Sequence, residues 1–480
     1  MPYEVVIGLE IHLELQTLSK LFCGCSTAFS REPNTNCCPV CLGLPGSLPV
    51  FNKRAIELAV MAALILNSEI QEKSRFDRKN YFYPDLPKAY QVSQYDRPLA
   101  RGGYLEIETE NGVRCIGLER VHLEEEAGKL QHAGDSIYQA DYSLVDYNRA
   151  GIPLLEIVTV PQLNSGREAR LFLEDLRLTM LYAGVSDCKM EEGSLRCDAN
   201  ISLRPIGSEK LGTKAEVKNM NSFRSVEMAL DYEIERQRKL LDAGKRVVQE
   251  TCHWDEENKK TISLRDKEES SDYRYFPEPD LLPLRLASAF INKLASSMPE
   301  LPRERRVRLC EKYGLDKETA ALLTANQELG NLFEETAGFY NDFKNLANWI
   351  QGDLLFQLRE SGKEAQDIKP QLLAELLNLL DQSIINRPVA KELLIEVIRE
   401  GKSPQKLVEE RGLTLISGSQ ELVPLVEQVI AENPEAVNSY CSGKEKALGY
   451  LFGRVMSLTG GRADPGEVNR FLKEKLKERN

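Results

Sequence analysis

The sequence predicts an α+β protein whose first part mixes strands and helices and whose second part is helical. In residues 1–292, apolar and polar positions alternate as in strands at some places, and apolar positions recur at helical spacing at others. From about residue 293, after a segment punctuated by Pro and Ser, only the helical spacing continues. This combination indicates a large α+β domain followed by helices.

Strands are predicted where polarity alternates, because successive residues of a strand point to opposite faces. The predicted strands cover residues 5–15, 115–124, 196–204 and 214–218. Helices are predicted where apolar residues recur every three or four positions. They cover residues 53–66, 167–184 and 222–242 in the first part, with amphipathic runs such as 318–335 and 370–400 in the second.

Breaks rich in Pro, Gly and Ser divide the chain. One lies near residues 292–302 and another near residues 400–404, so we expect domains at residues 1–292, 293–405 and 406–480. Three domains agree with a length of 480 residues, at about 100–200 residues per domain.

The composition is typical of a soluble globular protein, with 42% apolar and 28% charged residues. No apolar run reaches the roughly 18 residues of a membrane span, and the first residues lack the basic stretch of a secretory signal. We therefore expect a cytoplasmic protein without a membrane role. A net charge of −12 excludes a generally basic nucleic-acid-binding protein, but it allows a local basic patch and the carboxylates that magnesium requires.

Cysteines crowd near the start of the chain, where five of the eleven fall between residues 23 and 41. Cys23 and Cys25 are followed, after twelve intervening residues, by Cys38 and Cys41. Two such pairs joined by a short loop can close a structural zinc site of four thiolates. Cys37 is a fifth candidate ligand, and a catalytic or redox thiol is the alternative interpretation.

The predicted strands carry acidic and imidazole groups on one face. Glu10, His12 and Glu14 share a face of the first strand, and His122 and Glu124 repeat the pattern. On the other two strands the polar face includes Asp198, Lys214, Glu216 and Lys218. Carboxylates and imidazoles suit divalent cations, and basic side chains suit the phosphates that accompany them. The pattern fits a metal or phosphate cavity, and equally an antiparallel sheet with one face in solvent.

Ordered motifs over nearly the whole chain resemble those of one known family. They include EVVIGLEIH at residues 4–12, NTNCCPVCLGLPG at residues 34–46, HLEEEAGK at residues 122–129 and MEEGSLRCDAN at residues 190–200. Further motifs of the family occur at residues 81–91, 146–156, 216–224, 272–280 and 459–466. The chain resembles the B subunits of aspartyl/glutamyl-tRNA amidotransferases, which are the GatB subunits of GatCAB complexes.

The resemblance implies a fold, partners and a reaction. The implied fold is a cradle-like domain with a glutamine-synthetase-type antiparallel sheet, then a helical domain and a small helical tail. The implied partners are an amidase subunit (GatA), which releases ammonia from glutamine, and a small wrapping subunit (GatC), together forming a heterotrimer. The implied reaction is ATP-dependent phosphorylation of the side-chain carboxylate of Glu-tRNA(Gln) or Asp-tRNA(Asn), followed by amidation.

The resemblance also implies roles for the polar face. The implied Mg²⁺ ligands are Glu10, His12, Glu124 and Glu125, of which Glu125 is preferred although alternation favours Glu124. Glu10, His12 and Glu125 are the implied catalytic residues. Contacts to phosphate or carboxylate groups are expected from Lys79, Lys88, Arg149, Lys214 and Lys218, and a second cation from Asp198 and Glu216. No GxxxxGK[ST] loop occurs, so ATP is expected on this charged sheet.

The end of the chain is the expected tRNA contact. Residues 446–480 carry eight Lys and Arg against four acidic residues, and contacts to phosphates give affinity through counterion release. The aromatic segment from Tyr273 to Phe276 fits stacking on a terminal nucleotide and equally a place in the core.

Two rival functions fit parts of the sequence. A non-catalytic, zinc-containing RNA-binding module would not need the Glu/His strands. A stand-alone ligase for a small amine acceptor would use ATP without tRNA and would not need the tail.

Overall fold

The protein is described by a computed structural model that covers residues 3–133, 141–265, 273–416 and 418–478. The chain forms two compact units, Met1–Leu301 and Pro302–Asn480. Within the described ranges, no helix combines the length and apolar character that crossing a membrane requires.

The first unit combines strands with four helices along its described residues. Its strands are β1 (Tyr3–Glu14), β2 (Glu69–Ile70), β3 (Lys73–Ser74), β4 (Asp77–Asn80), β5 (Tyr90–Ser93), β6 (Ala100–Arg101), β7 (Tyr104–Thr109), β8 (Gly112–Glu125), β9 (Lys129–His132), β10 (Ser143–Asp146), β11 (Pro153–Thr159), β12 (Leu195–Pro205), β13 (Ala215–Lys218), β14 (Glu250–Asp255), β15 (Lys260–Arg265), β16 (Phe276–Pro277) and β17 (Leu284–Arg285). Its helices are α1 (Lys53–Ile65), α2 (Gly166–Tyr182), α3 (Phe223–Asp242) and α4 (Ser288–Ser296).

One large sheet organises the first unit. In the described residues its strand order is β15-β14-β13-β12-β1-β11-β8-β6-β2, with β7 also paired to β8. The pairing is antiparallel apart from the parallel pair β13 and β14. The register places His12 of β1 opposite Glu156 of β11 and Arg196 of β12. Glu156 in turn lies opposite His122 of β8, so polar residues of neighbouring strands meet on one face.

The opposite face of the sheet is the core. Leu9, Ile11 and Leu13 of β1 are at most 1% exposed. They belong to one hydrophobic cluster with Phe172 of α2 and Leu230 of α3. Because side chains alternate along a strand, burial of these residues directs the intervening polar residues to the other face.

A small sheet with the order β16-β4-β5 is fixed to the polar face of the large sheet. Ser93 at the end of β5 donates through Oγ to Glu124 Oε1 at 2.6 Å. Gln91 of the same strand donates through Nε2 to Glu124 Oε2 at 3.2 Å. Lys79 of β4 lies opposite Gln91, so β4 and β5 hold their side chains near Glu124.

The second unit is helical in its described residues and has two hydrophobic clusters, one between Leu309 and Val408 and one between Leu422 and Leu476. A π-helical turn at Ile350–Leu354 joins two of its helices. The helices are α5 (Pro302–Tyr313), α6 (Lys317–Thr324), α7 (Gln327–Thr336), α8 (Phe343–Trp349), α9 (Leu355–Ser361), α10 (Pro370–Asp381), α11 (Arg387–Glu400), α12 (Pro404–Arg411), α13 (Ser419–Glu432), α14 (Pro434–Cys441), α15 (Lys446–Leu458) and α16 (Pro465–Lys477).

The α+β prediction is confirmed, and the structure refines the helical runs of the second part. The run predicted at residues 318–335 contains two helices, because the Asn326 side chain accepts from the backbone N–H groups of Glu328 and Leu329 and starts α7. The run predicted at 370–400 is likewise divided, since Asn386 caps α11. The expected domain boundaries after residues 292 and 405 stay predictions.

Candidate active site

Four side chains from three adjacent strands meet on the polar face of the large sheet. His12 Nε2 lies 3.4 Å from Glu156 Oε2 and 4.0 Å from Glu124 Oε2. His122 Nε2 lies 3.3 Å from an oxygen of each of the same two carboxylates. Ligand atoms of His12, Glu124 and Glu156 all lie within 4.8 Å of one another. We call His12, Glu124 and Glu156 the acidic cluster. His122 is not part of it but contacts both of its carboxylates.

Mutual electrostatics keep the acidic cluster charged despite its burial. Burial alone would lower the pKa of His122, but Glu156 and Glu124 raise it to about 9. Burial would raise the pKa of Glu156, but His122 and His12 hold it well below its usual value. The pKa of Glu124 is also lowered, because His122 and Lys79 outweigh burial and the charge of Glu156. Two ionised carboxylates therefore face the His12 imidazole.

The donor set of the acidic cluster fits a hard divalent cation. Mg²⁺ prefers carboxylate oxygens and keeps part of its hydration shell, and the side chain of His12 is 22% exposed, which leaves an open side. The buried Nδ1 of His122 has no hydrogen-bond partner among the described residues. His122 thus contacts the cluster through Nε2, which lies 3.3 Å from both Glu124 and Glu156 and holds the two carboxylates close to each other.

Glu10 lies two residues before His12 on the same face, in a second group of charges. Its Oε1 accepts from Asn200 Nδ2 at 2.8 Å. Lys218 Nζ lies 2.7 Å from Asp198 Oδ2 and 3.5 Å from Glu216 Oε1. Burial alone would lower the pKa of Lys218, but Asp198, Glu216 and Glu10 raise it. Three residues that the sequence places on the polar face, Asp198, Glu216 and Lys218, therefore lie together. Glu10 lies opposite Asp198, and Lys218 is paired with two carboxylates.

Glu125, the preferred ligand in the sequence interpretation, lies outside the acidic cluster. Consecutive strand residues point to opposite sides, and Glu125 pairs with Lys88 Nζ and accepts from the backbone N–H of Val92 at 2.8 Å. Lys88 and Glu125 line a cavity of about 220 Å³ that also reaches Cys41. The structure thus places Glu124, and not Glu125, beside His12.

The other predicted basic residues occupy different places. Lys79 Nζ lies 4.9 Å from the ring centroid of Tyr273, and its charge lowers the pKa of Glu124. Arg149 donates to Glu14 Oε1 at 2.6 Å and to Glu126 Oε2 at 3.3 Å. Lys214 is half-buried and directly precedes β13. Lys79 therefore lies near the acidic cluster, whereas Arg149 pairs with Glu14 and Glu126.

The sequence-based set of site residues omits Glu156 and Arg196, and it places His122 on the polar face without a role. Glu156 was visible as a lone carboxylate in the apolar strand sequence PLLEIVT, all of which is buried. Buried charges are rare unless they are paired, so such a position marks a polar interior. Arg196 is paired with Glu126 and lies opposite His12, which only the strand register reveals.

The four predicted zinc ligands form a second cluster. The Sγ atoms of Cys23, Cys25, Cys38 and Cys41 lie within 4.8 Å of one another. Cys37 is not among them, and its Sγ lies 4.0 Å from Asn148 Oδ1. The structure thus groups Cys38, and not Cys37, with the other three cysteines.

The surroundings favour the thiolate at Cys41, whereas a hydrogen bond to Cys41 raises the pKa of Cys23 and burial raises that of Cys25. The backbone N–H of Cys38 donates to Cys41 Sγ at 3.1 Å. Lys20 is fully buried with its Nζ 3.7 Å from Cys41 Sγ. A hydrogen bond from the Cys23 thiol, with further help from Cys38 and Lys20, lowers the pKa of Cys41. Sulfur donors in negative form fit zinc, whose structural sites take four such ligands.

The loop between the cysteine pairs is fastened to the sheet domain by Asn148, which is 8% exposed. Its Nδ2 donates to the Glu32 carbonyl at 2.8 Å, and its Oδ1 accepts from the Asn36 N–H at 2.8 Å. Asn34, at φ 59°, also accepts from the backbone N–H of Tyr147 at 2.8 Å.

Replacing Asn148 with Ala is expected to loosen this loop. Two partly buried backbone groups each lose a hydrogen bond, at a cost of about 0.5–1.5 kcal/mol per bond. Amide hydrogen exchange of residues 32–36 should become faster by roughly 5- to 100-fold. Asn111→Ala, in an exposed turn, is the control. Equal exchange in both variants would contradict the role of Asn148.

The basic residues of the tail lie on two helices. Lys446 and Arg454 of α15 and Arg470, Lys473 and Lys477 of α16 are exposed. The spacing of the last three, at positions i, i+3 and i+7, places them on one face of α16. Arg462 donates to the Gly412 carbonyl, and Lys475 pairs with Glu427 and Glu478. Arg479 lies outside the described residues.

Comparisons with known proteins match both parts of the chain. Residues 5–292 match a family model described as the GatB/GatE catalytic domain, and residues 331–476 match the GatB domain. A protein of Carboxydothermus hydrogenoformans is 52% identical over 476 residues, which cover 99% of each chain. A protein of Moorella thermoacetica is 52% identical over 478 residues, covering 99% of this chain and 100% of its own. One of Brevibacillus brevis is 48% identical over 476 residues, or 99% of each chain.

All three relatives are named as the B subunit of an aspartyl/glutamyl-tRNA(Asn/Gln) amidotransferase. The acidic cluster and the four cysteines both fall within the residues matched by the first model.

Proposed function

The chain belongs to the GatB/GatE family, and from this premise we propose that it is the ATP-using subunit of a tRNA-dependent amidotransferase. In this role it is a ligase that forms carbon–nitrogen bonds, converting Glu-tRNA(Gln), Asp-tRNA(Asn) or both to the amide with glutamine as amido donor. The observation that carries the proposal is the acidic cluster of His12, Glu124 and Glu156 with Lys79 beside it.

The reaction requires activation of a carboxylate. A carboxylate repels a nucleophile and has no good leaving group, whereas an acyl phosphate accepts ammonia and releases phosphate. Transfer of a phosphoryl group from ATP depends on positioning and on positive charge that offsets the charge of the transition state. A bound Mg²⁺ would supply that charge as a Lewis acid.

The residues of the polar face have proposed roles. His12, Glu124 and Glu156 would hold the cation, with Glu10 on the same face as a further oxygen donor. Lys79 would approach the phosphate, because it lies opposite Gln91, whose side chain donates to Glu124. Asp198 and Glu216 would hold a second cation, although Lys218 now occupies that position. Lys88, Arg149, Lys214, Lys218 and Glu125 stay candidates for contacts to substrate groups.

Partners complete the proposed enzyme. Ammonia would come from an amidase subunit of the GatA type, and a small GatC-type subunit would complete a heterotrimer. The exposed basic face of α16 would contact tRNA phosphates, and the four cysteines would hold a structural zinc ion. We propose that the complex works in the cytoplasm.

The test is ATP hydrolysis by the purified complex of this chain with its partner subunits. Glu-tRNA or Asp-tRNA should stimulate hydrolysis, and Gln-tRNA should not, because its amide offers no carboxylate to phosphorylate. Hydrolysis at the same rate without tRNA would instead support a small-molecule ligase, and its absence with every tRNA would support a non-catalytic RNA-binding module.

The tail provides a second arm of this test. Lys473→Glu combined with Lys477→Glu should raise the KM for charged tRNA by about tenfold or more, since phosphate contacts contribute strongly to affinity. The maximal rate at saturating tRNA should stay near that of the unmodified complex. Unchanged KM would exclude this face of α16 from tRNA binding.

A further inference from the structure

Lys20 is a buried charge that the proposed reaction does not use. Its relative exposure is 0%, and no other lysine of the described residues is buried. A buried ammonium group is costly unless an opposite charge and hydrogen-bond acceptors compensate it. The partners of Lys20 therefore indicate the purpose of its charge.

The partner of Lys20 that can carry an opposite charge is a sulfur atom. Lys20 Nζ lies 3.7 Å from Cys41 Sγ and 3.2 Å from the Tyr147 carbonyl oxygen. Within the described ranges Lys20 forms no ion pair with a carboxylate, and Glu125, which lines the same cavity, is paired with Lys88. Because a carbonyl oxygen carries no net charge, compensation of the ammonium falls to the thiolate of Cys41.

The cluster of four cysteines in turn needs a positive neighbour when it holds zinc. Four thiolates around one Zn²⁺ leave two net negative charges. Cys41 is itself buried, so solvent does little to offset this charge at its sulfur. The backbone N–H of Cys38 donates to Cys41 Sγ at 3.1 Å but brings no net charge. Lys20 supplies a full positive charge at the same sulfur atom.

The backbone fixes Lys20 beside the cysteines. Its N–H donates to the Cys25 carbonyl at 2.9 Å, and its own carbonyl accepts from Asn52 Nδ2 at 3.2 Å. The next residue, Leu21, donates through its N–H to the Gly151 carbonyl at 2.8 Å. The fold thus holds the ammonium at Cys41, and little side-chain entropy remains to be lost when it donates to the sulfur.

We propose that Lys20 is the counterion of the zinc–thiolate cluster, with its ammonium donating to Cys41 Sγ and offsetting part of the negative charge of the four thiolates. Residues that contact the ligands of a metal, and not the metal itself, change its affinity by about 10- to 100-fold. Lys20 thereby slows the loss of zinc. It also makes the Cys41 sulfur a weaker nucleophile, because a lone pair of that sulfur accepts a hydrogen bond. The inference rests on the structural zinc ion of the proposed function and is independent of the tRNA-dependent reaction.

The experiment follows transfer of zinc from the full-length chain to a chromogenic chelator. Lys20→Met removes the charge, keeps a side chain of similar length and should transfer zinc about 10- to 100-fold faster than the unmodified protein. Lys20→Arg keeps the charge and should transfer zinc more slowly than Lys20→Met. Alkylation of Cys41 by iodoacetamide in the zinc-loaded proteins, measured by peptide mass spectrometry, should be fastest in Lys20→Met.

Lys53→Met is the matched control, because the Lys53 side chain is 82% exposed and its nearest carboxylate, Glu57, lies 3.8 Å away. This variant should transfer zinc as the unmodified protein does. Equal transfer rates in Lys20→Met and the unmodified protein would overturn the role of Lys20. Equally fast transfer from Lys20→Met and Lys20→Arg would also overturn it, because altered packing and not lost charge would then be the cause.

Thermal unfolding with and without zinc separates this role from a purely structural one. A ligand that binds the native state raises the unfolding temperature, so the gain caused by zinc reports its affinity. The gain is measured within each variant, so a general loss of stability cancels, and it should be smaller in Lys20→Met than in the unmodified protein. Lys20→Gln also removes the charge and serves the same comparison if Lys20→Met does not fold. An unmodified chain that binds no zinc would refute the zinc site itself, a result distinct from zinc held equally well by the Lys20 variants.

Discussion

Replacing Glu124 with Gln is expected to lower tRNA-dependent ATP turnover by about 10²- to 10³-fold. The amide keeps the size of the side chain but removes a charge that faces His12 and His122 at 4.0 and 3.3 Å. A cation in phosphoryl transfer contributes several kcal/mol of transition-state stabilisation, and a loss of about 3–4 kcal/mol corresponds to the expected change in rate. Release of ADP in the presence of Glu-tRNA measures the effect, and tRNA binding should be unchanged.

Glu119→Gln is the matched control for this variant. Glu119 lies on the same strand, β8, but its side chain is 59% exposed and pairs with the neighbouring Arg120. The control should keep turnover within about twofold, as is usual for substitutions at the surface. Turnover near the unmodified level in Glu124→Gln would mean that the acidic cluster is not where phosphoryl transfer occurs. If the variant has lost only affinity for the cation, a higher Mg²⁺ concentration should partly restore its turnover.

The composition of each strand face followed from the sequence, because it depends on local alternation alone. Leu9, Ile11 and Leu13 are buried as the pattern requires, which sends Glu10 and His12 to the polar face. Helix positions also followed from the sequence, because helical spacing of apolar residues is a local pattern. The helix predicted at residues 222–242 is Phe223–Asp242 in the structure.

The partners of those polar residues did not follow from the sequence, because strand register is a long-range property. Glu156 lies opposite both His12 and His122, which are separated by 110 positions of chain, and no local pattern encodes that pairing. The partners of Glu125 show the same limit, since Lys88 and Val92 come from another segment. Alternation along the strand favoured Glu124, whose carboxylate lies 4.0 Å from His12 Nε2 in the structure, whereas family resemblance favoured Glu125.

The spacing of the cysteines along the chain predicts a four-sulfur cluster but does not identify all four of its members. Two close pairs on a short loop can only meet locally, so a four-sulfur cluster was predictable. The choice between Cys37 and Cys38 was not, because the two cysteines are adjacent and the surroundings of each, such as Asn148 at 4.0 Å from Cys37 Sγ, come from distant parts of the chain.

Replacing Cys38 with Ser is expected to abolish stoichiometric zinc binding and to expose the cysteine loop. Structural zinc sites contribute apparent binding free energies of roughly 10–16 kcal/mol, or about 3 kcal/mol for each of four ligands. Loss of one thiolate should therefore weaken zinc affinity by about 10²-fold or more. Metal content of the purified protein measures the loss, and limited proteolysis between residues 23 and 47 measures the exposure. A strong chelator should have the same effect on the unmodified protein.

Cys37→Ser is the decisive control, because it removes the neighbouring thiol without touching the four clustered Sγ atoms. This variant should keep one zinc ion per chain and resist the protease as the unmodified protein does. The opposite result, with zinc lost from Cys37→Ser and kept in Cys38→Ser, would require the two cysteines to exchange places.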